Sequence, residues 1–89
     1  MTRKNITIGL RGGLDASSAA HLVQVASQYD SSIYLERGSR RVNAKSIMGM
    51  MSLNLSVGEQ LDVVADGGDE EMALAGMEAY VERGEQLVH

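Results

Sequence analysis

The stretch Ile33–Leu53 reads IYLERGSRRVNAKSIMGMMSL. Its first half has the outline of a β-hairpin. Ile33 and Leu35 alternate with Tyr34 and Glu36, and Val42 and Ala44 answer them across Gly38-Ser39. A two-residue connection of this kind needs a positive φ at its first position, which glycine adopts without steric cost. The spacing predicts strands over 33–37 and 41–44, with Ile33, Leu35, Val42 and Ala44 facing inward. The second half changes period. Ser46 is a good N-cap, and a short helix is expected over 47–53. Apolar residues surround that helix: Ile47, Met48, Met50, Met51 and Leu53. So short a helix has one buried side, so they cannot all face the core. Either some form an exposed Met-rich surface suited to adaptable protein binding, or flexible Met packs loosely inside.

Moving outward, Lys4–Leu10 reads as a strand, with Ile6, Ile8 and Leu10 alternating with Asn5, Thr7 and Gly9. Arg11-Gly12-Gly13 is a turn, and Asp15 sits where a helix N-cap belongs. Ala16, Ala19, Ala20, Val23 and Ala26 then fall on one helical face, widened by Leu22 and Tyr29. Their small side chains suit close approach to a sheet. Asp30-Ser31-Ser32 ends this helix. Beyond Leu53, a loop over 55–58 leads to a strand over 59–66, with Leu61, Val63 and Ala65 alternating. Gly67-Gly68 ends it. Asp69 is expected to cap a last helix whose buried stripe is Ala73, Leu74, Met77, Tyr80 and Val81, with Gly84 as its stop. The order β-α-β-β-α-β-α predicts one α+β domain over 1–89. Its four-stranded antiparallel sheet carries three helices on one face, as a split βαβ, ferredoxin-like layer. The period-2 alternation predicts a wet opposite face.

Composition narrows the function. The chain has 89 residues, no Cys, Pro, Trp or Phe, two His and a net charge of −4. Without Cys there is no disulfide framework and no thiolate metal or redox site. No apolar run approaches a membrane span, and no leader-like segment precedes the first strand, so a cytoplasmic protein is expected. The acidic balance argues against direct nucleic-acid binding. No metal cluster, cofactor motif or catalytic constellation is legible, and a non-enzymatic role is expected.

Three places could carry chemistry. The first is Arg11–Ser18, where a strand, a Gly-rich turn and a helix start make an anion-binding geometry; alone this is a weak signal, and Asp15 as a simple helix cap is the favoured reading. It lacks both the P-loop and the dinucleotide fingerprint. The second is Lys45–Leu53. The third is the acidic set Asp62, Asp66, Asp69, Glu70 and Glu71, which matches no calcium loop and reads as capping and solvation. His21 reads as a surface residue. Arg37, Arg40, Arg41 and Lys45 read as a solvated edge that raises the local positive potential.

These residues resemble a known family. Val42–Gly49, with Met51, Ser52 and Leu53, resembles the regulatory-serine segment of HPr, the phosphocarrier of the bacterial sugar phosphotransferase system. Leu22-Val23-Gln24, Ala26-Ser27 and Tyr29-Asp30 are similar to its first helix, and the last strand and Gly67–Leu74 agree as well. The resemblance implies the family's open-faced β-sandwich. It also implies phosphorylation of Ser46 by HPr kinase/phosphorylase, and binding of the product to a CcpA-like repressor in carbon catabolite repression. Asp15, Ala16, Ser17, Ile47, Met48, Gly49 and Met51 occupy the family's partner-binding positions.

One segment departs from the family. HPr carries Gly-Ile-His-Ala-Arg-Pro-Ala at the first helix start, where the His accepts phosphate and the Arg helps hold it. This chain has Gly13-Leu14-Asp15-Ala16-Ser17-Ser18-Ala19. Asp15 replaces the His, Ser17 the Arg and Ser18 the Pro. An imidazole with a pKa near neutrality is a competent nucleophile. A carboxylate at a helix start is stabilised as the anion and is a weaker one. The resemblance is therefore closest in kind to the family's His-less branch, Crh, and implies a regulatory rather than a relay role. The alternatives are a phosphocarrier that accepts phosphate on Asp15, and a constitutive binding partner of phosphotransferase-system proteins.

Overall fold

The computed structural model describes residues 1–84. Its elements are β1 (Thr2–Thr7), α1 (Ala16–Ser27), β2 (Ser32–Arg37), β3 (Arg40–Asn43), α2 (Ile47–Met51), β4 (Gln60–Asp66) and α3 (Glu70–Arg83). The strands form one antiparallel sheet in the order β1-β4-β2-β3. Because β4 lies between β1 and β2, the βαβ unit is split, as expected. The hairpin closes with Arg37 opposite Arg40, and Gly38 takes a φ of 60°. Ile33, Leu35, Leu61, Val63 and Ala65 fill the helix side of the two central strands and join Ala19, Leu22, Met77 and Val81 in one core.

Several boundaries differ from the sequence reading, for tertiary reasons. β1 ends at Thr7 rather than Leu10. Gly9 turns to the end of α3 instead, and its N–H donates to the Val81 carbonyl at 2.9 Å. That carbonyl would otherwise be one of the unpaired acceptors at a helix C-terminus. The approach is so close that a Cβ on Gly9 would lie 1.8 Å from the Glu82 carbonyl oxygen. Gly84 completes the end, with a φ of 70° and its N–H on Tyr80. β3 covers 40–43 rather than 41–44, so Ala44 is buried just past the strand while Val42 is only half-buried. On α1, Ala16 is exposed and Ala20 and Val23 are half-buried; the buried line is Ala19, Leu22, Val25 and Ala26. The helix is rotated so that its branched residues, not its alanines alone, reach the core.

The open face of the sheet is mostly polar, although Val64 on that face, opposite Arg3 and Tyr34, is buried beneath its neighbours. Arg3 bonds both Glu36 and Asp62, Asn5 donates to Asp62, and Arg41 pairs with Glu36 and lies 4.7 Å over the Tyr34 ring. On the helix side, the edge strand β1 is tied to α3 through Thr2–Glu70 and Lys4–Glu78. Asp69 stands at the α3 N-cap position but makes no capping bond. It reaches across to the α1–β2 connection, accepting from Asp30 N–H, Ser31 N–H and the Ser31 hydroxyl. The expectation that it caps α3 is therefore corrected.

These contacts set the pH response. Arg3 and Arg41 hold the Glu36 carboxyl below its ordinary range, and Asn5 and Arg3 do the same for Asp62. The Ser31 hydroxyl and Asp30 N–H lower Asp69, and the Thr2 hydroxyl and Gly67 N–H lower Glu70. A carboxyl depressed on folding contributes stability above its unfolded pKa and loses it as pH falls through the folded value. Urea midpoints followed by far-UV circular dichroism are thus expected to hold from neutrality to about pH 5 and to fall steadily below about pH 4. A midpoint at pH 3 equal to that at pH 7 would contradict this.

Candidate functional site

The start of α1 lies against the segment that follows α2, and the residue before the Ser46 cap reaches the end of α1, where Lys45 bonds the Tyr29 carbonyl. The turn before α1 is bonded to the loop after α2, since the Leu14 N–H donates to the Leu55 carbonyl at 2.9 Å. Gly13 makes that approach possible. Its φ is 72°, and a Cβ there would sit 2.4 Å from the Leu55 oxygen.

Asp15 caps α1 as the sequence predicts. Its carboxylate accepts from Ser18 N–H at 2.9 Å, and the Ser18 hydroxyl accepts from Asp15 N–H at 2.9 Å, a reciprocal capping box. The Ser18 hydroxyl also bonds the same carboxylate oxygen. The Ser18 N–H and then its hydroxyl hold the Asp15 carboxyl below the usual range. Asp15, Ala16 and Ser17 are all exposed. A carboxylate engaged in this way is a poor nucleophile, because its bonds favour the resting anion.

Ser46 caps α2, and its hydroxyl oxygen accepts the Gly49 N–H at 3.1 Å. Ser46 is half-buried. A Cβ on Gly49 would lie 3.2 Å from that oxygen and 3.4 Å from Val42 Cβ, so glycine keeps the space over the hydroxyl open. Lys45, the neighbouring cation, points away: its Nζ donates to the Tyr29 carbonyl at 3.0 Å.

α2 spans 47–51, shorter than expected, because Ser52 closes it and Leu53 turns into the core. The two readings of its methionines divide by residue. Met50 is fully buried, whereas Ile47, Met48 and Met51 are 40%, 84% and 42% exposed. The exposed apolar surface exists, and Met50 fills the core beneath it.

The basic edge is exposed, as expected, and its side chains are also engaged in specific bonds. Arg40 donates to both the Ser52 carbonyl and its hydroxyl at 2.9 Å, and Arg37 reaches the Leu53 carbonyl and Glu59. The Ser52 hydroxyl in turn donates to the Gly49 carbonyl at 2.6 Å. Two guanidiniums thus occupy the negative end of α2, where cations complement the helix dipole. No local spacing signals the Arg40–Ser52 contact, which depends on how the hairpin folds over α2. His21 is exposed, as expected, and its ring lies 5.5 Å from that of Tyr80. The acidic residues make no metal cluster among the described residues, and no helix there is long and apolar enough to cross a membrane.

Fold and site together define a small α+β protein with one helix start capped by a carboxylate and another capped by a serine beside an exposed apolar face. Comparison with known proteins agrees. The family profile described as the PTS HPr component phosphorylation site matches residues 2–83. The HPr-like protein Crh of Bacillus subtilis is 43% identical over 82 residues, covering 92% of this chain and 96% of Crh. The phosphocarrier protein HPr of Treponema pallidum is 45% identical over 78 residues, covering 88% and 89% of the two chains. The crystal structure described as HPr-C-His from Thermoanaerobacter tengcongensis superposes with a TM-score of 0.88 at 42% identity, over 98% of this chain and all of that one. The chain belongs to the HPr family. Its fold is that family's open-faced sandwich.

Proposed function

We propose that this chain is a non-enzymatic, Crh-like regulatory protein of the phosphotransferase system, switched by phosphorylation at Ser46. It acts through protein binding in carbon catabolite repression. The observation that carries the reading is the pairing of a half-buried Ser46 at the start of α2 with the exposed Ile47, Met48 and Met51 face. Phosphate on Ser46 would add roughly two negative charges beside an apolar surface. A partner with Arg or Lys next to an apolar groove then distinguishes the modified from the unmodified chain. HPr kinase/phosphorylase supplies the phosphate and a CcpA-like repressor reads it. Little refolding is needed, because Ser46 already accepts an N–H at the start of α2.

Incubation with HPr kinase and ATP is the test. Intact mass is expected to show a single added phosphate, absent from Ser46→Ala. A chain that takes no phosphate sinks the proposal.

The alternative of a phosphocarrier using Asp15 meets a specific obstacle. The Ser18 N–H and hydroxyl both bond Asp15 Oδ1 and stabilise the resting carboxylate, which lowers its nucleophilicity. Enzyme I with phosphoenolpyruvate is therefore expected to leave the mass unchanged. A hydroxylamine-labile adduct lost in Asp15→Ala would establish the relay reading instead. A constitutive partner whose Asp15 imitates a phosphorylated His is disfavoured by charge, since one carboxylate carries less charge and fewer acceptor oxygens than a phosphate.

A further inference from the structure

The chain has six methionines, and their surroundings divide them. Met50 and Met77 are fully buried. Met48 is 84% exposed and Met51 is 42% exposed, three positions apart on the same helix and therefore on one face. Both belong to the surface that flanks Ser46. We infer that Met48 and Met51 form a peroxide-oxidisable site whose modification disables the α2 face. The inference rests on the Ser46 reading and adds a second, redox input to the same surface.

The chemistry is self-contained once a hydroperoxide is supplied. A thioether sulfur lone pair attacks the distal peroxide oxygen. The O–O bond breaks, an S–O bond forms, and the departing hydroxide takes up the peroxide proton as water. Sulfur loses two electrons and the peroxide gains them. The product is methionine sulfoxide, which a thiol-dependent reductase returns to the thioether. Oxidation converts a flexible apolar side chain into a polar one. Pressed into an apolar groove, the new sulfoxide oxygen has no donor to meet it, and an unpaired buried acceptor weakens association. The fold is spared, because the two core methionines are shielded.

The experiment treats the full chain with hydrogen peroxide, locates the sulfoxides by peptide mass mapping, and measures Ser46 phosphorylation by HPr kinase. Met48 and Met51 are expected to oxidise while Met50 and Met77 do not. The far-UV spectrum is expected to be unchanged, and kcat/KM for phosphorylation to fall about tenfold. A Met48→Leu/Met51→Leu double variant keeps the apolar volume but cannot be oxidised there. Met1 and Met72 remain exposed and oxidisable in it. Whatever its own starting rate, the double variant is expected to show the same rate before and after the treatment. Oxidised native chain phosphorylated at the untreated rate, or a double variant that loses as much as the native chain, overturns the inference alone. An untreated chain that takes no phosphate overturns the Ser46 reading, and this inference with it.

Discussion

Met50→Ala is expected to destabilise the protein by about 2–5 kcal/mol, the usual cost of truncating a buried methionine. Met48→Ala, two residues away in the same helix, is expected to change stability by less than about 0.5 kcal/mol. The contrast follows from geometry alone. Residues two apart on a helix point to nearly opposite sides. Met50 is closed off from solvent in the core, whereas Met48 is 84% exposed. A helix of five residues has little stability of its own, because nucleation consumes most of what its few bonds return. α2 is therefore held by attachments to the rest of the fold, among them Met50 beneath it, the Ser46 cap at its start and the Arg40 and Arg37 contacts at its end. Loss of Met50 removes the one made through the fully buried interior by a side chain of α2 itself, since Ile47, Met48 and Met51 are exposed. Urea denaturation followed by circular dichroism reads the difference directly, as a shift in midpoint at constant slope. If Met50→Ala and Met48→Ala gave equal midpoints, α2 would not be anchored as described.

The parts of the fold legible in sequence are those whose cause is local. Gly38 announces the hairpin because its positive φ is a property of one residue and its two neighbours. Asp15, Ser46 and Gly84 mark helix ends because capping involves atoms within four residues. Alternation in β2 and β4 identifies the core face because a sheet has two sides. Where the cause is remote, the local pattern misleads. Asp69 has the residue type and position of an N-cap, yet Asp30 and Ser31, brought close only by folding, compete for it and win with three donors. β1 continues in pattern to Leu10, but Gly9 is drawn to the unpaired Val81 carbonyl at the end of α3. Ala16 fits the apolar stripe of α1, but the capping turn at Asp15 holds it at the surface.

The candidate site divides in the same way. Ser46 and the apolar excess around it are visible along the chain, because too many apolar residues for one buried side is a counting argument. Which methionine faces in is not, since Met48, Met50 and Met51 are chemically identical and only packing separates them. The clasp of Arg40 on Ser52 and the redirection of Lys45 to Tyr29 also lie beyond pattern. Both matter for charge. They commit cations that the sequence places near Ser46 to backbone and hydroxyl oxygens elsewhere, so the serine's surroundings depend more on what a partner brings.

That dependence shapes the second large effect, the response to Ser46. Ser46→Ala is expected to abolish phosphorylation, but it also deletes the acceptor of the Gly49 N–H and should destabilise the protein by about 1 kcal/mol. Loss of phosphate in that variant alone could reflect a frayed α2. Ser46→Asn separates the two causes. Asparagine is as good an N-cap as serine, so stability should stay within a few tenths of a kcal/mol, yet it has no hydroxyl to accept phosphate. If Ser46 is the acceptor, both variants stay unmodified by HPr kinase and ATP, and only the alanine variant melts early. Only phosphorylated native chain is then expected to bind a CcpA-like repressor, with an affinity that weakens as salt screens the added charge. Phosphate on Ser46→Asn would place the acceptor on another hydroxyl. Equal repressor binding by both variants and by phosphorylated native chain would mean that the exposed Ile47, Met48 and Met51 surface acts without a switch.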